Sequence, residues 1–193
     1  MTKKWLFFGL VILLCGILFT YLKVRNVLRE GQVSVYQSNG RNILVSIFAR
    51  EGSLMEIVNN PIRFPQSSGE YSFKSSTEYF KAICGDGKKS LEYKHFAGPG
   101  VLPCLDNNFS SENNAWSVVA DIRDDMPPNT PFLISKNVQI NSLDDKPVIT
   151  HPEMLGNNLG VIVFIGAGSK AMELDALEDF LSELSLTNKV LRP

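Results

Sequence analysis

The stretch from Trp5 to Leu22 reads WLFFGLVILLCGILFTYL and contains no charged residue. As an α-helix rising ~1.5 Å per residue it would be ~27 Å long, close to the ~30 Å hydrocarbon core of a bilayer. We therefore predict that this segment crosses a membrane and that it is the segment through which the chain contacts lipid.

The apolar pattern continues beyond the predicted span. Its steps of three, four, seven and eight residues keep one face of a helix apolar. The members of this pattern are Val24, Val27, Leu28, Val35, Ile43, Leu44, Ile47 and Phe48. Gly31 and the triplet Ser38-Asn39-Gly40 weaken the helix but contain no proline. The sequence predicts one helix from about Trp5 to about Arg50, ended by Gly52-Ser53.

The first part of this helix has the composition of an anchor that is retained. A cleaved secretion signal would use Lys3 and Lys4 as its basic end, but cleavage requires small residues before the cut, and Phe19 to Lys23 offers none. A lipoprotein would use Cys15, but Ile12 to Leu14 before it are large. We expect an uncleaved anchor, with Cys15 as a small apolar residue of the span.

Charge alone does not orient the anchor. Lys3 and Lys4 precede the span, and Lys23, Arg25 and Arg29 follow it. A single N-terminal anchor followed by a domain with two further cysteines favours a domain outside the cytoplasm. We divide the chain into a membrane anchor, residues 1–29, and a soluble domain, residues 30–193.

Composition limits the partners and the chemistry. The chain has 193 residues and a net charge of −1, so no basic field indicates nucleic acid binding. Cys84 and Cys104 enclose about twenty residues, and a disulfide there would contribute ~3 kcal/mol in an oxidising compartment. Two buried thiols are the alternative, and the sequence does not choose between them.

The soluble part alternates short helical and strand patterns. Ser75 and Glu78 have the spacing of a capping box and predict a helix from Ser76 to Cys84. Strand patterns follow at Leu91 to Phe96, Trp116 to Ile122, Thr130 to Val138 and Leu159 to Ile165. The last apolar face is helical and consists of Leu174, Leu177, Phe180, Leu181 and Leu184.

These elements predict an α+β fold. A long N-terminal helix, half in the membrane and half amphipathic, packs on a small antiparallel sheet, and a C-terminal amphipathic helix closes the domain. We expect Ile43, Ile47 and Phe48 to pack against the sheet.

Two segments suggest a ligand site in an anchored binding module or enzyme. Gly166 to Ala171 reads GAGSKA after a strong strand, as in a dinucleotide loop that opens a helix. Only 22 residues follow Ala171, too few for such a fold, so a tight turn is favoured. Asp121 to Asp125 is acidic but has no EF-hand spacing, which favours a solvated turn.

No catalytic residue is predicted. The two histidines, His95 and His151, stand beside loop residues without metal-ligand spacing to another histidine or to a cysteine. No local signature marks a nucleophile. We expect neither an enzyme nor a cofactor or metal site.

Several short stretches resemble type IV pilins and type II secretion pseudopilins. Ser38 to Ile43, read as SNGRNI, resembles S-N-x-[KR]-Q-I in a pseudopilin-like subgroup, through Ser38, Asn39, Arg41 and Ile43. Further resemblances to that subgroup cover Ser75 to Phe80, Glu112 to Trp116, Thr130 to Leu133 and Leu159 to Gly168.

The resemblance implies a single-pass protein of the bacterial inner membrane with a periplasmic domain. Its expected partners are other pilin-like or secretion-assembly proteins. The processing site of those precursors, a glycine followed by phenylalanine with a glutamate five residues into the mature chain, is not present near the span. We therefore expect the anchor to stay intact.

Overall fold

The computed structural model describes residues 2–49, 64–85, 91–105, 108–123, 125–156 and 158–193, with side chains from residue 11 onward. The chain has an α+β fold in which a long N-terminal helix lies over an antiparallel sheet, which confirms the predicted class. The predicted stop at Gly52-Ser53 lies outside the described residues.

The described helices begin with α1, Thr2–Ala49, which runs unbroken for 48 residues. The next are α2, Ser76–Gly85, and a 3-10 helix, Tyr93–Phe96. They are followed by α3, Pro152–Leu155, and α4, Leu174–Leu184.

Five strands form the main sheet, in the order β6-β5-β2-β1-β7, with every neighbouring pair antiparallel. They are β1 Trp116–Val119, β2 Pro131–Ser135, β5 Leu159–Phe164, β6 Ser169–Glu173 and β7 Val190–Leu191. A separate two-stranded sheet pairs β3, Val138–Gln139, with β4, Val148–Ile149. The central strands β1 and β2 are buried along their whole length.

Two predicted strands have a different structure. The strand predicted at Leu91 to Phe96 is instead a 3-10 helix, Tyr93–Phe96, because Glu92 and His95 form a capping box at its start. The Glu92 N–H donates to His95 Nδ1 at 3.0 Å, and the Glu92 side chain accepts from the His95 N–H. The strand predicted from Thr130 to Val138 ends at Ser135, and residues 136–137 turn the chain into the small sheet. The Lys136 N–H donates to the Ala115 carbonyl at this turn.

The interpretation of Gly166 to Ala171 as the opening of a helix is wrong. Ser169–Glu173 is a strand, and it pairs with Leu159 to Val163 over five residues. The segment is therefore the end of a β-hairpin, and α4 begins only at Leu174. Pairing with the most apolar strand outweighs the weak strand propensity of SKAME.

The capping arrangement of α2 follows the predicted spacing. Ser75 Oγ accepts a hydrogen bond from the Glu78 N–H at 3.2 Å, and the Glu78 carboxylate accepts one from the Lys74 N–H at 2.9 Å. A buried polar network then holds α2 on β1. Ser76 Oγ donates to the Trp116 carbonyl at 2.7 Å, and Asn114 Nδ2 donates to Ser76 Oγ at 2.9 Å.

The core lies between α1 and the sheet. Trp116 is fully buried, and its ring contacts Tyr36 of α1 edge to face, with centroids 4.7 Å apart. Gly40 faces the same ring so closely that a Cβ there would lie 2.6 Å from Trp116 and 2.5 Å from Val163. A glycine inside this helix therefore allows the helix to approach the sheet.

Candidate functional site

Helix α1 changes environment along its length. From Val11 to Leu28 its side chains are exposed, and an 18-residue window of mean hydropathy 1.8 has none of its residues buried. By length and composition the helix is apolar enough to cross a membrane, consistent with an N-terminal anchor. From Arg29 onward the helix contacts the rest of the chain.

Three side-chain hydrogen bonds fix α1 where it enters the domain. Arg29 Nε donates to the Leu155 carbonyl at 3.2 Å, and Asn39 Nδ2 donates to the Ala97 carbonyl at 3.2 Å. The Tyr36 hydroxyl donates to the Ala115 carbonyl at 2.7 Å. Burial raises the pKa of Tyr36, so its hydroxyl stays protonated and remains a donor at neutral pH.

The residues predicted to pack against the sheet lie on the inner side of α1. Ile43 is fully buried and Ile47 is 5 % exposed. Phe48 is half-buried and contacts Phe64 edge to face at 6.1 Å, and Phe64 contacts Phe132 of β2. Val35, which the pattern placed with them, is instead exposed, and the neighbouring Tyr36 is buried.

The opposite side of α1 carries an exposed stripe without charge. At about 100° per residue, ten residues from Val24 to Ala49 fall within a sector about 100° wide, facing away from the buried side. The outward stripe consists of Val24, Val27, Leu28, Gly31, Val35, Ser38, Asn42, Val45, Ser46 and Ala49. Eight of them are exposed, and Ser38 and Ser46 are half-buried.

A shallow groove of about 440 Å³ flanks the entry of α1 into the domain. It is lined by Asn26, Arg29, Glu30, Val33, Ser34, Gln37 and Leu159. One cation and one carboxylate balance each other in this lining, so the groove has no net charge to select a charged ligand.

The turn after β5 uses its backbone donors within the protein. The Gly166 N–H donates to the Pro128 carbonyl at 3.0 Å, and the Ala167 N–H donates to the Phe164 carbonyl at 3.0 Å. A phosphate loop needs such N–H groups pointing at its ligand. A Cβ on Gly166 would lie 2.9 Å from the Pro128 carbonyl oxygen, so glycine here serves close packing. Lys170 is exposed on β6.

The acidic segment from Asp121 to Asp125 makes hydrogen bonds and an ion pair with neighbouring residues. Asp121 Oδ1 accepts a hydrogen bond from the Ser67 N–H at 2.9 Å, and Asp125 pairs with Arg123 at 3.1 Å. Asp124 lies outside the described residues. Within the part of the chain that the structure describes, no group of three or more His, Cys, Asp or Glu side chains is arranged to hold a metal ion.

Both cysteines of the soluble domain lie near Tyr93. Burial raises the pKa of Tyr93, and the negative charge of the Cys84 and Cys104 thiolates raises it further. Cys104 is buried and Cys84 is half-buried. The bridge between them stays a prediction.

The histidines have local partners. His95 Nδ1 accepts the Glu92 N–H, and His151 Nδ1 contacts the Glu153 carboxylate at 3.2 Å. Neither arrangement, among the described residues, includes a nucleophile held by the ring.

The sequence pattern did not identify Gly40 or the outward stripe. The signal for Gly40 was its place between Tyr36 and Ile43 on the buried face, where a glycine indicates close approach rather than weakness. The signal for the stripe was the lack of charge at Val35, Asn42 and Val45 on one side of a helix that carries Arg41 on another.

Comparison of the chain with family models, with curated proteins and with solved structures finds no match.

Proposed function

We propose that this chain is a membrane-anchored pilin-like or pseudopilin-like subunit, structural or accessory, of a type II secretion or type IV pilus-related assembly. It acts by protein–protein contact, with residues 1–29 in the bacterial inner membrane and the domain in the periplasm. One observation carries the proposal: a single unbroken helix that is apolar and exposed in its first half and part of the sheet core in its second half.

The stretches that resemble pseudopilins support this proposal by their placement. Gly40 of SNGRNI lies against both Trp116 and Val163, which belong to two other such stretches. Ser76, in a further stretch, donates to the Trp116 carbonyl. Four stretches that are distant in sequence thus meet at Gly40 and Trp116, as expected when a shared pattern encodes one packing arrangement.

The outward stripe supports an action by contact between helices. An uncharged sector costs little to desolvate, and small residues such as Gly31, Ser38 and Ala49 let a second helix approach closely. Its apolar members Val35 and Val45 are each 52 % exposed although they lie beyond the predicted span. We assign to this face the helix of a neighbouring pilin-like or secretion-assembly subunit.

Site-specific photo-cross-linking in native membranes tests this assignment. A photoreactive residue at Val35 is expected to form adducts with pilin-like or secretion-assembly proteins, identified by mass spectrometry. Gln32 and Arg41 are matched controls, because both are exposed on α1 outside the stripe. Adducts at all three positions in equal yield, or adducts at Val35 only with unrelated proteins, would contradict the proposal.

Retention of the anchor is a separate test. We expect the intact mass of the membrane-extracted protein to include Met1 to Tyr21, because the span offers no cleavage site of either kind. A mass corresponding to a chain that begins after Lys4, Gly9 or Thr20 would show processing and contradict a fixed anchor.

A further inference from the structure

A cleft of about 420 Å³ opens at the edge of the domain, between β7, the small sheet and the chain just before α2. Its lining includes four cationic side chains, Lys74, Lys136, Lys189 and Arg192, together with His151 and Ser117. None of the described residues that line it is Asp or Glu. This concentration of positive charge occurs in a chain whose net charge is −1.

Among the described residues, no ion pair involves the four cations of this cleft. The ion pairs among the described residues involve other lysines and arginines, namely Lys94, Lys146 and Arg123. Lys136 Nζ donates to the Ser111 carbonyl, a neutral acceptor, at 2.6 Å. Partial burial lowers the pKa of Lys136, and the Glu112 carboxylate opposes this effect.

The neighbouring glutamates do not line the cleft, and two of them contact other groups. Glu78 accepts the Lys74 N–H, and Glu153 contacts the His151 ring. Neither these two nor Glu112 is among the residues that line the cleft. A negative charge at Pro193, which does line it, would offset one of the four cations.

A buried donor completes the cleft. The Ser117 side chain is 1 % exposed, and its hydroxyl has no hydrogen-bond partner within the described structure. A buried hydroxyl without a partner lowers the stability of the folded state. An oxygen atom that enters the cleft and accepts this hydrogen bond would remove that cost. The wall thus combines mobile positive charges with one fixed neutral donor.

We propose that this cleft is an oxyanion-binding site that takes a phosphate group, with the charge held by Lys136, Lys189 and Arg192 and one oxygen accepting from Ser117. Hydrogen bonds between cations and phosphate oxygens are among the strong ones in proteins. The cleft adjoins α3, which contacts α1 where the helix enters the domain. The phosphate can therefore come from solution or from a lipid headgroup.

Thermal unfolding of the full chain tests the site. The protein is placed in nanodiscs of zwitterionic lipid and melted in sodium phosphate and in sodium chloride of equal ionic strength. A ligand that binds only the native state stabilises it by RT ln(1 + c/Kd) at a free ligand concentration c, so the melting temperature rises with the ligand concentration. The same melts in nanodiscs with added phosphatidylglycerol separate the lipid source from the soluble one.

Exposed residues provide variants that fold. Lys189→Gln combined with Arg192→Gln should weaken the phosphate effect roughly tenfold or more in apparent dissociation constant. Lys146→Gln and Lys170→Gln remove the same charge elsewhere and should keep the wild-type response. Ser117→Ala should preserve or raise the melting temperature without phosphate while reducing the increase with phosphate.

Two outcomes support the site: a phosphate-specific increase, or an increase confined to phosphatidylglycerol, in either case lost in the cleft variants. Equal melting temperatures of the wild type in both salts and both lipids would overturn it. A response that the cleft variants share with the control variants would overturn it as well, since it would then reflect general charge screening.

Discussion

Helix α1 is one element with two environments. Leu18 in its first half is 58 % exposed, whereas Leu44 in its second half is fully buried. Both are leucines in the same continuous helix, so helix propensity does not distinguish them. The difference is the partner: the sheet covers one side of the second half, whereas none of the described residues covers the side chains from Val11 to Leu28. An apolar helical pattern therefore predicts the helix but not whether lipid or protein covers each part of it.

Removal of the second half of α1 should reduce the stability of the domain more than any single substitution. Burial of Ile43, Leu44 and Ile47 contributes roughly 5–9 kcal/mol, comparable with a typical net stability of ~5–15 kcal/mol. A chain that begins at Glu51 is therefore expected to show no cooperative unfolding, whereas one that begins at Glu30 should unfold cooperatively in urea. Cooperative unfolding of the shorter chain would mean that α1 is not part of the core.

A leucine-to-alanine substitution should have a large effect on stability in the second half of α1 and a small one in the first half. Leu44→Ala is expected to lower the free energy of unfolding of the domain by ~2–5 kcal/mol, because it opens a cavity in the core. Leu18→Ala should change it by less than ~0.5 kcal/mol. Near-UV circular dichroism of the full chain in detergent, followed against urea, measures both. Equal losses would remove the distinction between the halves.

Phe48 lies near the end of the buried half of α1. Its substitution by alanine should lower the free energy of unfolding by less than Leu44→Ala does. Its ring is half-buried against Phe64, so Phe48→Ala is expected to cost ~1–3 kcal/mol, below the ~3–5 kcal/mol of a fully buried ring. The same urea titration measures it. A loss larger than that of Leu44→Ala would show that the ring is more enclosed than its exposure indicates.

Two glycines of α1 should respond with opposite sign. Gly40→Ala places a methyl 2.5 Å from Val163 and 2.6 Å from Trp116, and the overpacking cost of up to ~3 kcal/mol outweighs the ~1 kcal/mol gained in helix propensity, so this variant should be destabilised. Gly31 has nothing within 4 Å, so Gly31→Ala should stabilise by up to ~1 kcal/mol. Differential scanning calorimetry of both variants tests this, and stabilisation by both would contradict close contact at Gly40.

Parts of the fold with a strong local pattern could be predicted from the sequence. The existence of α1, the strands around Trp116 and Val161, and the start of α2 at Ser76 follow from apolar content and capping residues. Strands β6 and β7 could not, because SKAME and Val190-Leu191 have little strand signal alone and become strands by pairing with β5 and β1. The 3-10 turn at Tyr93 depends on a contact between Glu92 and His95 that hydropathy does not encode.

The candidate sites also fall into those that a local sequence pattern predicts and those that only the fold brings together. Ile43 and Ile47 lie where their spacing placed them, because a repeated apolar residue on a helix records a buried face directly. The phosphate cleft could not be found, because Lys74, Ser117, Lys136 and Arg192 come from four separate segments. At Gly166 the sequence favours a tight turn over a phosphate loop, but the helix expected directly after it is a strand, because this glycine spacing occurs both in hairpins and in phosphate loops.

Helix α1 is unbroken from the predicted span into the domain. The number of residues between the two therefore sets the direction in which the domain faces. Between Leu22, the end of the predicted span, and Arg29 the helix advances ~10 Å, so a membrane around that span would lie close to the domain. One residue inserted there would rotate the whole domain by about 100° around the membrane normal, whereas seven would return it to within about 20° of its bearing. The direction in which the outward stripe faces is therefore set by the length of this short segment.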